Sequence, residues 1–281
     1  MTIGRPTIDI SDFSIDPELI SAELEKKFLP NPKAKLPEVQ DQRLIHQFYL
    51  NIDKLSIRGG ALYYYKHHLY DFRGNEEALV RLLATWDKPP KPRIRIQENG
   101  FSQSAFLTLK ADLRFSPAGL QIPENLQAEA SSISNLEFER QIDPKIAEYL
   151  MRKVGGQTGR VISKTRGDIY VVTGINEGKP VHLFKKPFEV DIFHGPNSFT
   201  PSESFIADNK GLTMIELEHG PTEDIQQANL PNWIGIEVTK DPRFTNSKLA
   251  QSPLATWEKS EKEAIINHKF PGKSQTRIIQ P

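Results

Sequence analysis

Residues 23–28 read Glu-Leu-Glu-Lys-Lys-Phe. Successive side chains of an extended strand point to opposite faces, so Glu23, Glu25 and Lys27 share one face. The same construction recurs along the chain. Residues 93–96 read Arg-Ile-Arg-Ile, 136–139 Leu-Glu-Phe-Glu, 164–166 Lys-Thr-Arg, 188–192 Phe-Glu-Val-Asp-Ile and 215–218 Ile-Glu-Leu-Glu. Each puts charges at i and i+2, mostly with large apolar residues between them. Any one such strand would suit the solvated face of an antiparallel sheet. Six with tight pairs, mostly of one sign, suit a closed barrel whose charges point inward and whose apolar residues point outward under helices and loops.

A lumen lined by both signs is costly unless its charges are paired or bind something. The inward set holds the carboxylates Glu23, Glu25, Glu137, Glu139, Glu189, Asp191, Glu216 and Glu218 and the cations Lys27, Arg93, Arg95, Lys110, Lys164 and Arg166, a surplus of two negative charges. A polyanion held by the Lys and Arg residues, with divalent metals held by the carboxylates, gives the charges of each sign a counterpart. A triphosphate of charge about −4 to −5 with two divalent cations adds only about 0 to −1 in net charge, so it supplies both signs with counterparts without enlarging the surplus much.

The remaining sequence is consistent with a soluble, mainly β protein. Hydrophobic residues make up 37% and charged residues 26%, enough for a core. The absence of cysteine removes disulfides, thiolate zinc sites and cysteine nucleophiles. Lys+Arg and Asp+Glu are 36 each, so no global basic field favours nucleic acid. No apolar run reaches the ~18 residues of a membrane span and no secretory signal is visible, which predicts a cytoplasmic protein with no membrane association. Nothing in the residues sets an oligomeric state.

Prolines punctuate strand candidates at 20–29, 42–50, 91–97, 104–110, 134–142, 159–166, 168–174, 181–193 and 211–218. Helices are predicted at 74–86 and 143–154, the latter from Asp143 and Pro144, with a short third at 222–228. The tail 259–281 is polar and is expected to be loosely held. Gly272-Lys273-Ser274 is not a phosphate-binding loop, because Asn267 stands where its first glycine belongs. Tyr63-Tyr64-Tyr65 reads as core or interface packing, with base stacking as the alternative.

These motifs, in this order, resemble the CYTH domain, or triphosphate tunnel metalloenzymes, and most the bacterial inorganic triphosphatase-like members. Glu23-Leu24-Glu25-Lys26-Lys27 is similar to the E-x-E-x-K strand and Gln47-Phe48-Tyr49-Leu50 to Q-x-Y-L. Arg93-Ile94-Arg95 is similar to R-x-R, Leu107-Thr108-Leu109-Lys110 to L-T-x-K, Glu137-Phe138-Glu139 to E-x-E and Lys164-Thr165-Arg166 to K-x-R. Glu189-Val190-Asp191-Ile192-Phe193 is similar to E-x-D-x-F, and Gly211-Leu212 through Glu216-Leu217-Glu218 to the late G-L…E-x-E strand.

The resemblance implies an N-terminal extension over 1–19, a tunnel domain over 20–258 with insertions at about 52–90 and 194–210, and a tail over 259–281. It implies an eight-stranded antiparallel tunnel that hydrolyses a triphosphate, inorganic tripolyphosphate first, with Mg²⁺ or Mn²⁺. Lys27, Arg93, Arg95, Lys110, Lys164 and Arg166 would hold phosphate oxygens. Glu23, Glu25 and Glu218, with Glu216 in support, would hold metal; Glu139, Glu189 or Asp191 would serve the attacking water or a second metal. Nucleoside or thiamine triphosphate hydrolysis, adenylate cyclisation and non-catalytic triphosphate or nucleotide binding stand as alternatives. Asn135 occupies a position where many members carry arginine.

Overall fold

The computed structural model describes residues 20–21, 24–84, 86, 88, 90–100, 102–112, 115, 135–154, 160–176, 179–184, 186–196, 206–219 and 230–266. The predicted metal ligand Glu23, the third helix at 222–228 and the stretch 272–274 lie outside them.

In chain order the strands begin β1 (Ile20–Ser21), β2 (Leu24–Pro30), β3 (Gln40–Tyr49), β4 (Leu55–Arg58), β5 (Ala61–Tyr64) and β6 (His67–Asp71), followed by helix α1 (Glu76–Ala84). Next come β7 (Arg93–Asn99), β8 (Ser102–Asp112), β9 (Asn135–Ile142), helix α2 (Pro144–Val154), β10 (Ile162–Ile169), β11 (Val172–Asn176), β12 (Lys179–His182) and β13 (Phe188–Phe193). Last among the described residues come β14 (Thr213–His219), β15 (Ile234–Glu237) and helices α3 (Asn246–Gln251) and α4 (Lys259–Ile266). The fold is mainly β with a few helices, as the alternation predicts.

The main sheet is an antiparallel ladder of ten strands in the order β1-β9-β8-β7-β3-β10-β13-β14-β2-β15. This corrects the expected eight-stranded closed tunnel, since no hydrogen-bonded pair joins the two margins among the described residues. Two differences raise the count: β1 and β2 pair with opposite sides of the ladder, and β15 adds to β2. Only residues 22 and 23 separate β1 from β2. At about 3.6 Å per residue, three steps of chain span at most ~11 Å. The sheet therefore bends until β1, beside β9, and β2, beside β14, lie within that distance.

The outer face is apolar and covered. Ile94, Ile96, Leu107, Leu109 and Phe138 are buried with Leu62, Tyr64, Leu79, Leu82, Leu83, Trp86 and Leu150. Helix α1 packs on β8, and α2 on β7 and β8. The cover includes a three-stranded sheet, β4-β5-β6, inside the 52–90 insertion, where no strand was expected. Its first turn is Gly59-Gly60 with φ of 55° and 76°, the two positive values of a tight type I′ hairpin. Tyr64 is buried and Tyr65 exposed, so the tyrosine run divides between packing and solvent.

At one end the inner face turns apolar. Leu29, Ile162, Phe193 and Met214, each two residues along its strand from a charged position, join Val238, Phe244, Leu249, Trp257 and Ile265 in a second cluster. The C-terminal segment thus stoppers one end of the charged face. This corrects the expectation of a loose tail from residue 259, because residues 259–266 form α4 and bury Ile265.

Candidate active site

Strand register gathers the charged residues. Across β10–β13, Arg166 faces Asp191. Across β13–β14, Glu189 faces Glu216, and across β14–β2 Glu216 faces Lys27 and Glu218 faces Glu25. Across β7–β8–β9, Arg93 faces Thr108, Thr108 faces Glu139, and Lys110 faces Glu137. Directly opposed residues share a face. All six predicted cations and all the described predicted carboxylates therefore lie on one face of the ladder.

Two networks result. The deeper one centres on Arg166. Its Nε donates to Asp191 Oδ1 at 2.7 Å and its Nη2 to Asp191 Oδ2 at 2.7 Å, while Nη1 reaches Glu189 Oε2 and Nη2 also reaches Glu216 Oε2. Lys164 Nζ donates to Asp191 Oδ2. Lys27 Nζ bridges Glu216 Oε1 and Glu25 Oε1, each at 2.7 Å. Lys164 and Asp191 are 1% and 0% exposed, so this pair is wholly withdrawn from water.

The second network lies on β7–β9. Arg95 Nη2 donates to Glu139 Oε1 at 3.0 Å, and the Thr108 hydroxyl donates to Glu139 Oε2 at 2.7 Å. Arg93 Nη2 stands 3.6 Å from Glu137 and 3.7 Å from Glu139, and Lys110 Nζ 3.4 Å from Glu137. The Nε atoms of Arg93 and Arg95 are buried with no hydrogen-bond partner among the described residues. A buried donor left unpaired costs about 1–3 kcal/mol, so two side by side on a cationic strand call for an anionic acceptor.

The networks lie within electrostatic reach of each other on the same face of the ladder. Tyr49, whose hydroxyl accepts from Gln47 Nε2 at 2.6 Å, is pushed up to about 12 by burial, with Arg93 of one network and Lys27 of the other opposing the shift. Burial holds Arg95 below its ordinary value, and Arg93 and Arg166 add to that shift against Glu139. Burial alone would lower Lys27 and Arg166, but their carboxylate partners outweigh it and hold both above their usual range. Burial would likewise raise Glu216, and Lys27, Arg166 and Lys164 hold it well below the carboxylate range instead. Lys164 is lowered by burial and Arg166. Glu189 is raised by burial, and Arg166 does not fully offset the neighbouring Glu216 and Asp191.

Exposure grades along the strands away from the stopper. Glu25 and Lys110 have side chains 37% and 39% exposed, against 6% for Glu216. The charged space thus has a dry end and an open end. Glu218 at the open end receives Lys186 at 2.8 Å. Neither Lys186 nor Arg43, which contacts Asp168 and Glu189, belongs to the predicted set.

Donor chemistry at Glu25 and Glu218 fits a hard divalent ion. They are two carboxylates directly opposed, an arrangement that repels without a cation between them. Among the described residues no three His, Asp or Glu side chains form a metal-holding group, so further ligands would come from Glu23, substrate oxygens or water. Glu216 has both oxygens engaged by cations. No helix among the described residues is long and apolar enough to cross a membrane.

No family model matches this chain. An inorganic triphosphatase from Acetivibrio thermocellus is 28% identical over 178 residues, covering 62% of this chain and 80% of that protein. Among solved structures, the inorganic triphosphatase NE1496 aligns over 82% of this chain and 95% of its own, at 22% identity and a TM-score of 0.39. The PH1819 protein from Pyrococcus horikoshii OT3 aligns over 72% and 80% respectively, at 18% identity and a TM-score of 0.31.

Proposed function

We propose that this chain is a divalent-metal-dependent triphosphatase of the CYTH, or triphosphate tunnel, type, with inorganic tripolyphosphate as its first substrate. In this reading the bent ten-stranded ladder wraps its charged face around the substrate. The observation that carries the proposal is the row of six cations on one face, with the unpartnered Nε donors of Arg93 and Arg95 among them. Mixed charges that bond mainly to one another would need no such donors. The resemblance to the Acetivibrio triphosphatase agrees with it.

Phosphoryl transfer asks the protein for position and charge more than for covalent chemistry. The phosphates enter from the open end toward the stopper. Arg93, Arg95 and Lys110 on one side, and Lys27, Lys164 and Arg166 on the other, exchange carboxylate oxygens for phosphate oxygens, like for like in charge. Glu25 and Glu218, with Glu23, would hold Mg²⁺ or Mn²⁺, which supplies neutralisation of the phosphate charge when bound. Water attacks the terminal phosphorus in line, the bond from that phosphorus to its bridging oxygen breaks, and phosphate and pyrophosphate leave.

Of the three carboxylates proposed for the proton of that water, Glu189 suits best. All three have both oxygens engaged, Asp191 by Lys164 and Arg166, Glu139 by Arg95 and Thr108, and Glu189 by Arg166 and Arg43, so engagement does not separate them. Glu189 has the raised affinity for a proton that a general base needs.

The test is phosphate release from tripolyphosphate, ATP and thiamine triphosphate with Mg²⁺ and Mn²⁺, with cyclic AMP measured in the ATP reaction. Tripolyphosphate should be turned over fastest. No phosphate from any of the three, or cyclic AMP as the main product, would refute the proposal.

A further inference from the structure

We propose that Arg43 is the positioning residue of this site: it grips Glu189 by one oxygen, so that Glu189 stays in place when Arg166 leaves it for a phosphate. The inference rests on the triphosphatase reading above and adds to it a residue that no motif marks.

Glu189 is held between two guanidiniums, one per oxygen. Arg166 Nη1 takes Oε2, and Arg43 Nη2 donates to Oε1 at 3.1 Å. Arg166 also serves Asp191 and Glu216 and is one of the proposed phosphate holders. When it turns to substrate, Oε2 is released toward the phosphate it has just joined. Without a second hold the carboxylate would lose its orientation at that moment. Arg43 supplies the hold on the opposite oxygen and leaves Oε2 to receive the proton.

Arg43 is itself fixed by a local irregularity of the ladder. Arg43 pairs with Arg166 in register, yet Asp168 pairs with Gln40, so β3 carries one extra residue at this point. Bulges of this kind re-aim side chains and are common beside active sites. Asp41 adopts φ of 48°, a left-handed conformation uncommon outside glycine. Its carbonyl accepts from Arg43 Nη1 at 3.3 Å. Opposite the bulge stands Gly167, where a Cβ would lie 2.4 Å from Val39 Cγ1 and 2.7 Å from the Gln40 carbonyl oxygen, so only glycine lets the strands approach. Asp168, buried, takes the same guanidinium at 3.2 and 3.5 Å. Two cations directly opposed, Arg43 and Arg166, are unfavourable unless a shared anion lies between them, and Glu189 is that anion.

Arg43→Gln and Asp168→Asn both break the Arg43–Asp168 pair, but only the first removes the grip on Glu189. Steady-state kinetics on tripolyphosphate with Mn²⁺, and thermal melts, are run for the parent, both variants, Arg43→Lys, Glu189→Gln and the Arg43→Gln/Glu189→Gln double variant. Arg43→Gln should lower kcat about 10- to 100-fold, the worth of one charge-assisted hydrogen bond, with KM within about threefold. Arg43→Lys should recover part of that loss, Asp168→Asn should keep kcat within about threefold, and the double variant should be no worse than Glu189→Gln. An equal kcat loss in Asp168→Asn and Arg43→Gln would overturn the assignment in favour of a structural pair. A loss seen in KM alone would make Arg43 a substrate ligand and overturn it too. An Arg43→Gln variant with parental kinetics would also overturn it while the triphosphatase reading stands. An inactive parent would overturn the reading and the assignment together.

Discussion

Neighbouring residues on β7 offer a sharp test of which way the charged strands face. Ile94 is 0% exposed and pairs with Phe48 and Leu107 in the outer apolar layer. Ile94→Ala removes buried carbons from a layer packed under two helices and leaves a cavity that the strand backbone cannot collapse. At full burial this costs about 3–4 kcal/mol, within the 2–5 seen for such truncations. At about 2–4 °C per kcal/mol for a domain of this size, the melting temperature should fall roughly 6–16 °C. Arg95 is next in sequence and on the opposite face, 3.0 Å from Glu139, with that pair partly open to water. Arg95→Ala therefore costs about 1 kcal/mol or less in stability. It also removes a buried donor that has no protein partner, so part of even that cost returns. Its kinetic loss should be about 10- to 100-fold in kcat/KM on tripolyphosphate. The assays are differential scanning calorimetry and phosphate release on both purified variants. A stability defect confined to Arg95→Ala, with normal turnover, would mean that the charged face is an ordinary solvent face and the lumen does not exist.

Three further outcomes follow from the same geometry. Removing divalent metal with EDTA should abolish turnover and re-addition of Mg²⁺ or Mn²⁺ restore it; undiminished turnover on a metal-stripped sample would contradict the roles of Glu25 and Glu218. Glu25→Gln should nearly abolish activity and leave the melting temperature within about 2 °C, because it relieves the opposition to Glu218 while Lys27 keeps Glu216; a large drop in melting temperature would make Glu25 structural. Glu216 is held below its ordinary 4.5, so its carboxylate contributes stability above about pH 4.5 that is lost as pH falls through its folded value. Glu189, raised above 4.5, acts oppositely, contributing stability at acid pH that is lost as pH rises through its folded value. Melting temperature should therefore fall less steeply below pH 4.5 in Glu216→Gln than in the parent, and equal slopes would contradict the dominance of the Glu216 cluster.

What was legible in the sequence followed from period 2. Arg93-Ile94-Arg95, Glu137-Phe138-Glu139 and Lys164-Thr165-Arg166 each show the charged face and what lies between on four residues or fewer, and the structure puts those charges on one face. The same signal fails where a strand contributes a single charge. The inner face of β3 reads Arg43, Ile45, Gln47, Tyr49, so Arg43 has no charged neighbour at i+2, and the bulge that aims it depends on Gly167 across the ladder. Lys186 was invisible for another reason: it stands outside any strand and reaches Glu218 only through the chain's path. The β4–β6 sheet has strands of four or five residues, too short for alternation to declare itself, and only Gly59-Gly60 marks a turn. The stopper was hidden because Leu29, Ile162, Phe193 and Met214 sit on separate strands and become one surface only once β10, β13, β14 and β2 are side by side. Carboxylates read as catalytic or metal-holding groups, among them Glu25, Glu139, Asp191 and Glu216, bond to cations read as phosphate holders, since charges of both signs in a partly dry space neutralise one another first.

The central claim is that one lumen holds a triphosphate between the two networks. A crystal structure of the protein with tripolyphosphate and Mn²⁺ tests it most directly. The phosphate oxygens should lie on Arg93 and Arg95 from one side and on Lys164 and Arg166 from the other, with anomalous density for manganese beside Glu25 and Glu218. Tripolyphosphate bound outside the ladder, or Arg93 and Arg95 open to bulk water and free of phosphate, would contradict it.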